Sequence, residues 1–552
     1  MKIPACKEYF NLGSFSRRIT CSAPDAQAWF SRGLVWVYAF NHDEAVHCFT
    51  QAIEHDPSCA MAYWGLAYAV GPNYNKPWDR FDRCDRVESA RVGFEASRAA
   101  KKAGNVSPCE KAVITAIQSR YEQGYPTDPV GLNRRYAASM EQVYQRFGED
   151  GDIAALYADA LMNISPWALW DLPTGKPAEN APTLRIKEVL EKGIARHAYH
   201  PGLLHLYIHY IEMSPTPEQG INIADRLREL VPDAGHLHHM PTHLDILVGD
   251  WRRSMASNYK ATIADDKYLS RAGPLNLYTF YRVHNYHSLI YAAMFAGQSK
   301  TALDAVVRME RTVPEDVLHM HSPPMADWLE AFMGTRWHVL IRFGMWSDII
   351  HTNIPRDETL YSVTTATAHY AKSLAYATGP RDIKKARREQ KNFLKSREKV
   401  PPSRRVYNTK AIDTLAVGAA MLDGELAYRE QDKNAWTHLR RAVILDDNLP
   451  YSEPWAWMQP ARHAYAALLL EQGHVVEAAK EYRADLGLDN TLIHPRRHPE
   501  NVWALAGYYE CLSRMGREDE AREIEPSLRL ALAVADVDVK ASCFCRLGES
   551  RL

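Results

Sequence analysis

The alternation of large and small residues in the segment 29–57 is the feature that most limits what this chain can fold into. The residues of the pattern recur at three- and four-residue spacing over two successive helices: Trp29, Gly33, Trp36, Ala45, Phe49, Ala52 and Pro57. Small residues let two helices approach closely, and the aromatic residues fill the gap to the next pair. Because one helix pair cannot bury its apolar face alone, the segment predicts an array of stacked pairs.

This spacing is that of the tetratricopeptide repeat (TPR). Similar repeat patterns occur at 60–70, 467–486 and 502–524. Weaker helical patterns fill the centre of the chain, as at 154–162 and 223–230. Alternating strand patterns are scarce. The sequence therefore predicts an all-α, TPR-like helical-repeat solenoid, a right-handed superhelix of antiparallel helix pairs.

The length of 552 residues exceeds what one hydrophobic core supports, which also favours an array of repeats. The domain organisation expected along one continuous solenoid is an extension at 1–20, TPR repeats at 21–110, central repeats with a histidine-rich site at 111–350, TPR repeats at 351–540 and a tail at 541–552.

Composition excludes several classes of protein. The net charge of −1 lacks the basic footprint of a nucleic-acid binder. No apolar run is long enough to span a bilayer, and the first ten residues do not read as a secretory signal. We therefore expect a cytoplasmic protein with no nucleic-acid or membrane partner. The nine cysteines form no CxxC pair and fit reduced thiols better than a disulfide framework or a thiolate zinc site.

Three histidine clusters between residues 205 and 287 are the unusual part of the sequence. In the first, His205 and His209 are four apart and Glu212 follows three later, so all three share one helix face. The other clusters are His239 with His243, on either side of Pro241, and His284 with His287. Helical pairs of imidazoles lose little entropy on binding a metal ion of borderline softness.

These six histidines and Glu212 predict a site for one or two transition-metal ions, either copper, zinc or iron. Glu212 is either a carboxylate ligand or a catalytic general base acting on metal-bound water. The alternative is that each histidine is an ordinary core residue. His200, His236 and His238 are either partners of the ligands or surface residues.

Two loops carry the residues expected to bind substrate: Asn73, Tyr74 and Asn75 in GPNYN, and Trp167 and Trp170 in PWALW. Aromatic and amide side chains can hold a small organic molecule against a metal. The two tryptophans fit repeat packing equally well. GxSxG, P-loop, GxGxxG and HExxH motifs are missing, which removes the common hydrolase, nucleotide-binding and dehydrogenase interpretations.

Nearly the whole chain resembles a family of long TPR proteins found in bacteria and fungi. The segments that carry the resemblance are FNHDEAVHCFTQAIEHDPSCAMAYWGLAYAVGPNYN (40–75), LYADALMNISPWALWDLPTGKP (156–177), HLYIHYIE (205–212), HMPTHL (239–244), HNYH (284–287) and EPWAWMQPARHAYAALLLEQG (453–473). The resemblance implies a TPR superhelix in which these histidine motifs are family features, and it implies no reaction.

Two functions follow from the sequence. The first is a metalloenzyme with a small-molecule substrate in a cavity of the superhelix, with a slight preference for oxidative chemistry over hydrolysis or a lyase reaction. The second is a TPR scaffold for a protein partner, in which any metal is structural.

Overall fold

The computed structural model describes residues 2–546, most of which form α-helices paired antiparallel. The prediction of an all-α, TPR-like helical-repeat fold is confirmed. The chain divides into two compact units. Unit 1 comprises the residues up to 244 together with 260–278, and unit 2 comprises 245–259 and the residues from 279 on.

Unit 1 contains eleven complete α-helices among the described residues: α1 (Pro24–Tyr38), α2 (His42–His55), α3 (Ala60–Ala69), α4 (Arg83–Lys102), α5 (Pro108–Ile117), α6 (Pro129–Phe147), α7 (Gly151–Met162), α8 (Thr183–Arg196), α9 (Pro201–Ile211), α10 (Ile221–Leu227) and α11 (Gly235–His239). Its 3-10 helices are Trp78–Arg80, Gln118–Arg120 and Pro217–Gly220. The next two helices, α12 (Thr242–Leu247) and α13 (Trp251–Ala272), contribute residues to both units.

Unit 2 continues with α14 (Thr279–Phe295), α15 (Ser299–Thr312), α16 (Glu315–Leu318), α17 (Met325–Leu329), α18 (Thr335–Arg342), α19 (Trp346–His351), α20 (Ser362–Thr378), α21 (Ile383–Glu398), α22 (Ala411–Arg429), α23 (Ala435–Asp447), α24 (Ala461–Glu471), α25 (Val475–Leu486), α26 (Val502–Arg514) and α27 (Glu518–Val534). Its 3-10 helices are Glu330–Gly334 and His494–Arg496.

Strands are confined to two short antiparallel hairpins in the part of the chain that the structure describes. Strand β1 (Trp170–Asp171) pairs with β2 (Lys176–Pro177), and β3 (Arg405–Val406) pairs with β4 (Thr409–Lys410). Each hairpin lies in a loop between two helices and has only two residue pairs, so neither forms a sheet domain.

The predicted role of small residues in the first repeat is visible at Phe49 of α2. A Cβ on Gly33 of α1 would lie 2.8 Å from the Phe49 ring, and a Cβ on Gly65 of α3 would lie 2.3 Å from it. Phe49 is fully buried, so three helices pack around this one ring. The same device recurs in unit 2, where a Cβ on Gly507 of α26 would lie 2.3 Å from the Tyr482 ring of α25.

Side-chain caps fix where several of these helices begin. The Asn41 side chain accepts a hydrogen bond from the Glu44 amide at the start of α2, and Asn501 accepts one from Ala504 at the start of α26. Ser107 and Glu110 form a reciprocal capping box on α5. Capping side chains thus fix the first residues of α2, α5 and α26.

Cys543 and Cys545 form a disulfide, so the prediction that the cysteines are reduced thiols is wrong for this CxC pair, while Cys6, Cys21, Cys48, Cys59, Cys84, Cys109 and Cys511 are free. The five-part domain division remains a prediction, and residues 547–552 of the predicted tail lie outside the described residues. Among residues 2–546, no helix combines the length and the apolar character needed to cross a membrane.

Candidate metal centre

Helix α9 carries the first two predicted ligands into the interior of unit 1. Pro201 occupies its first turn, and the Nδ1 atom of His200 accepts a hydrogen bond from the Leu203 amide at 3.2 Å. A Cβ on Gly202 would lie 2.5 Å from the ring of Tyr38, at the end of α1, so the two helices approach closely. Every residue of α9 is buried.

His205 is held in one tautomer by the backbone of α1. Its Nδ1 atom lies 2.6 Å from the carbonyl oxygen of Tyr38, which can only accept, so Nδ1 carries the proton and Nε2 presents a lone pair. The ring is fully buried, and Nε2 has no hydrogen-bond partner among the described residues. Burial lowers the pKa of His205 to about 3, which leaves the imidazole neutral near pH 7.

His209, one turn further along α9, has the same arrangement with a different acceptor. Its Nδ1 atom donates to Oε1 of Glu212 at 2.9 Å, and its Nε2 atom is again buried and without a hydrogen-bond partner in the described chain. Burial holds the pKa of His209 well below its ordinary value. Glu212, which is fully buried, also accepts from Nδ1 of His243 through Oε2, so one carboxylate orients two imidazoles.

His236 on α11 completes a group of three that we term the imidazole cluster: His205, His209 and His236. One ring nitrogen from each lies within 4.8 Å of the other two. The ring centroid of His205 is 4.9 Å from that of His209 and 5.0 Å from that of His236, and all three rings are fully buried. Three imidazoles around one point form a ligand set that protein metal sites use.

The predicted pair His239 and His243 adjoins this cluster. His239 ends α11 and His243 lies in the first turn of α12, with their Nε2 atoms 2.6 Å apart. Because Nδ1 of His243 donates to Glu212, its Nε2 atom accepts and that of His239 donates. The His239 ring stacks on His236 at 5.7 Å, and the His243 ring meets His209 at 5.7 Å. Unit 1 thus brings five imidazoles and Glu212 into one contiguous group.

Both predicted substrate loops reach this group, through one aromatic residue each. The Tyr74 ring lies 5.1 Å from His209 and stacks on Trp167 at 5.1 Å, and Trp167 meets His209 edge-on at 5.8 Å. The side chain of Asn73 is occupied by the loop itself, since Oδ1 accepts from the amides of Asn75 and Lys76 at 3.0 and 2.8 Å.

Trp170, in contrast, packs against Tyr210 of α9. Its indole donates to the Tyr210 carbonyl oxygen at 2.7 Å, and its ring lies against that of Tyr210. These contacts support the packing role that the sequence left open for Trp170, whereas Trp167 contacts a member of the imidazole cluster. Substrate binding by either tryptophan stays a prediction.

His284 and His287 lie in unit 2, on α14. The Nδ1 atom of each is 3.0 Å from the hydroxyl of Tyr407, which follows β3. A hydroxyl both donates and accepts, so it can bond to two imidazoles of opposite tautomer. A role for this pair in metal binding stays a prediction.

Sequence reasoning underrated His236 and missed Phe40. The surface alternative for His200, His236 and His238 is wrong, since all three are buried. His200 bonds to Asp152 at 3.0 Å and His238 to the Pro232 carbonyl at 2.9 Å, whereas His236 joins the cluster. The available signal for His236 was its three-residue spacing from His239.

Phe40, which packs 4.3 Å from His205, has a left-handed backbone (φ 54°) that the sequence does not reveal.

A small cavity adjoins His205. Its volume is about 10 Å³, about the space of one water molecule, and His42, Asn73 and Phe40 are among its lining residues. A larger substrate requires the surrounding side chains to move.

Comparison with known proteins supports the repeat and adds no activity. The tetratricopeptide repeat family profile matches residues 26–59. No curated protein has a significantly similar sequence. Among solved structures, the chain is similar to yeast Tom70 (12% identity, TM-score 0.28, covering 93% of this chain and 92% of that one) and to Ypp1 (11%, 0.28, 92% and 73%). It is also similar to Naa15/Naa10 bound to HypK-THB (11%, 0.21, 92% and 65%). The family match thus covers one helix pair.

Proposed function

We propose that this chain is a metal-dependent enzyme that acts on a small organic molecule, with one transition-metal ion held by His205, His209 and His236. The observation that carries the proposal is the pair of buried Nε2 lone pairs on His205 and His209 that have no hydrogen-bond partner among residues 2–546. Leaving a buried acceptor unsatisfied costs about 1–3 kcal/mol, and a bound ion would remove that cost twice.

The hydrogen bonds at Nδ1 of His205 and His209 also support metal binding at Nε2. Metal-binding histidines almost always donate their other N–H to a carbonyl or a carboxylate, which fixes the tautomer and makes the ligand more basic. Here His205 donates to the Tyr38 carbonyl and His209 donates to Glu212. Glu212 is already engaged by two Nδ1 atoms, and this geometry favours a positioning role for it over the ligand or base roles predicted from the sequence.

The donor set also bears on the metal and its chemistry. Neutral imidazoles without a thiolate suit copper, zinc or iron. His239 and His243 offer donors for a second ion if their Nε2 atoms separate. With an all-imidazole set and a carboxylate occupied elsewhere, we favour oxidative chemistry over water activation. A small-molecule substrate near Tyr74 and Trp167 and a cytoplasmic location are parts of this proposal.

The test is elemental analysis of the purified, untagged protein by inductively coupled plasma mass spectrometry. Wild type is expected to contain bound copper, zinc or iron, and a His205→Ala, His209→Ala double variant is expected to lose it. The matched control is His319→Ala, His351→Ala, which removes two exposed histidines and should retain the metal. Wild type that stays metal-free after unfolding and refolding in the presence of copper, zinc or iron, or equal loss in the control, would rule out the centre.

The second candidate function is a protein-interaction scaffold, which the TPR match at 26–59 favours. The two candidates differ in what the metal does. After unbound copper is removed by gel filtration, copper-loaded wild type should consume dioxygen in the presence of a small reductant, and the His205→Ala, His209→Ala variant should not. Metal-loaded protein without turnover on any small-molecule panel would favour the scaffold.

A further inference from the structure

A second group of potential metal donors lies in unit 2, far along the chain from the histidine motifs. Cys543 and Cys545 border a cavity of about 30 Å³ whose other lining residues include Glu425 of α22, His338 of α18 and Trp457. One carboxylate oxygen of Glu425 and the two sulfur atoms all lie within 4.8 Å of one another. In the structure the two sulfurs are joined as a disulfide.

Glu425 is the group that makes this cavity unusual. The residue is 1% exposed, and its Oε2 atom accepts no hydrogen bond from any described residue. The nearest cation is Arg429, whose Nη2 atom is 3.6 Å from Oε2, too far for a hydrogen bond. A buried carboxylate oxygen without a donor is a strong candidate to bind a cation.

The backbone around the two cysteines is held by contacts that do not involve sulfur. The carbonyl oxygen of Ser542 accepts a hydrogen bond from Arg342 at 2.8 Å, and its hydroxyl donates to the His463 carbonyl at 2.7 Å. On the other side, Arg546 makes two hydrogen bonds to Glu510, at 2.6 and 2.8 Å. Reduction of the disulfide therefore leaves both sulfurs beside Glu425.

We propose that Cys543, Cys545 and Glu425 form a redox-gated site for a soft divalent cation such as zinc or cadmium. In the disulfide the sulfur lone pairs are poor ligands, whereas thiolates bind such ions strongly. The site is thus closed when the pair is oxidised and open when it is reduced. It is separate in sequence and in donor type from the imidazole cluster.

The chemistry balances with a thiol as reductant. Two thiol molecules give two electrons and two protons to the Cys543–Cys545 bond, the S–S bond breaks, and the reductant leaves as its own disulfide. The cation then displaces the two thiol protons to solvent and binds both thiolates and the Glu425 carboxylate. A small disulfide reverses the step: it takes two electrons from the thiolates and two protons from solvent, leaves as two thiols, and the Cys543–Cys545 bond forms again as the ion is released.

The experiment uses the full chain and cadmium as the probe, because cadmium bound to thiolate gives an ultraviolet charge-transfer band that imidazole does not. Protein is reduced with excess monothiol, desalted without oxygen and titrated with cadmium. Reduced wild type should develop the band to saturation at a single equivalent, and oxidised wild type should develop none.

Variants assign the band to these residues. Cys543→Ser, Cys545→Ser should abolish it, whereas Cys6→Ser, Cys84→Ser, which removes two exposed free cysteines, should retain it. Glu425→Gln should keep the band and weaken cadmium binding at least about tenfold, since even an outer partner of a metal site is worth about 10–100-fold.

Three results would overturn the proposal. One is an equal band in oxidised protein or in the Cys543→Ser, Cys545→Ser variant. Another is reduced wild type that keeps its helical circular dichroism and shows no band. The third is reduced wild type that loses its helical signal, because the disulfide would then be a structural bond and not a gate.

Discussion

Each unit buries histidines around a single carboxylate, and the two arrangements differ in whether the ring nitrogens are satisfied. In unit 2, Asp485 accepts from Nε2 of His463 at 2.7 Å and from Nδ1 of His498 at 2.8 Å. The remaining nitrogens bond to Arg342 at 3.1 Å and to the Tyr291 hydroxyl at 3.0 Å. All four nitrogens of that pair have partners.

In unit 1, Glu212 orients His209 and His243 in a similar way, yet Nε2 of His209 and Nε2 of His205 have no hydrogen-bond partner in the described chain. The same residue types therefore build a closed hydrogen-bond network in one unit and an open donor set in the other. Burial and residue composition do not distinguish the group around Glu212 from the group around Asp485. What distinguishes them is whether the second ring nitrogen of each histidine has a hydrogen-bond partner.

Removing the carboxylate of the closed network should have the largest effect on stability. Asp485→Ala leaves two buried imidazole N–H groups without an acceptor, and breaking such a buried network costs about 3–5 kcal/mol. The midpoint of urea unfolding should fall while metal content stays at the wild-type level. Asp538→Ala, at an exposed carboxylate, is the control. A loss of metal in Asp485→Ala would show that the two regions do not differ as described.

Acid should act on a buried histidine of unit 1 and on a buried carboxylate of unit 2 in different pH ranges. In unit 1, burial lowers the pKa of His42, which donates to the Ala69 carbonyl, to about 4. The unfolded chain binds a proton near pH 6.5 that the folded chain does not. The contribution of His42 to the free energy of unfolding is therefore complete above pH 6.5 and falls by up to about 3 kcal/mol toward pH 4.

In unit 2, burial alone would raise the pKa of Asp485, but the charges and hydrogen bonds of His463 and His498 hold it below its ordinary value. The contribution of Asp485 to the free energy of unfolding is present above about pH 4 and is lost only below that pH. Urea midpoints measured from pH 7 to about pH 4 should decline in wild type and decline less in His42→Gln. His319→Gln, at an exposed histidine, should follow wild type, and an unchanged slope in His42→Gln would contradict the assignment.

Two glycines allow a matched steric test with a smaller effect. Gly202→Ala places a Cβ 2.5 Å from the ring of Tyr38, and Gly507→Ala places one 2.3 Å from the ring of Tyr482. Each should destabilise the protein by about 1–3 kcal/mol through overpacking. Only Gly202→Ala should also weaken metal binding, by about 10–100-fold, because it moves α9 away from the carbonyl that orients His205. Equal affinities in the two variants would argue against that orienting role.

The sequence predicted the features that depend on local periodicity. Gly33 and Phe49 pack as the repeat pattern requires, and the spacing of His205 and His209 placed both on one face of a buried helix. The order of apolar and small residues determines these features directly. The predicted metal roles of the six histidines and Glu212, and the domain boundaries, remain predictions.

Other features depend on contacts between residues far apart in the chain, which periodicity does not encode. Tyr38 supplies the carbonyl that fixes the tautomer of His205, although the two residues are separated by 167 positions. The cavity at Cys543 likewise needs Glu425 from another helix. The bonding state of a ring nitrogen is a tertiary property, and it is the property by which the proposed ligands differ from the core histidines of this chain.

The complete burial of the imidazole cluster has a consequence for how an ion would enter and leave. His205, His209 and His236 are all 0% exposed, and the adjoining cavity has room for about one water molecule. Exchange with free metal would then require local opening of the helices, so its rate would follow the opening equilibrium and not the affinity. Such a centre would be loaded as the chain folds and would hold its ion through swings in cellular metal supply. The bound ion would then be a permanent part of the protein, and the protein would not buffer the concentration of free metal.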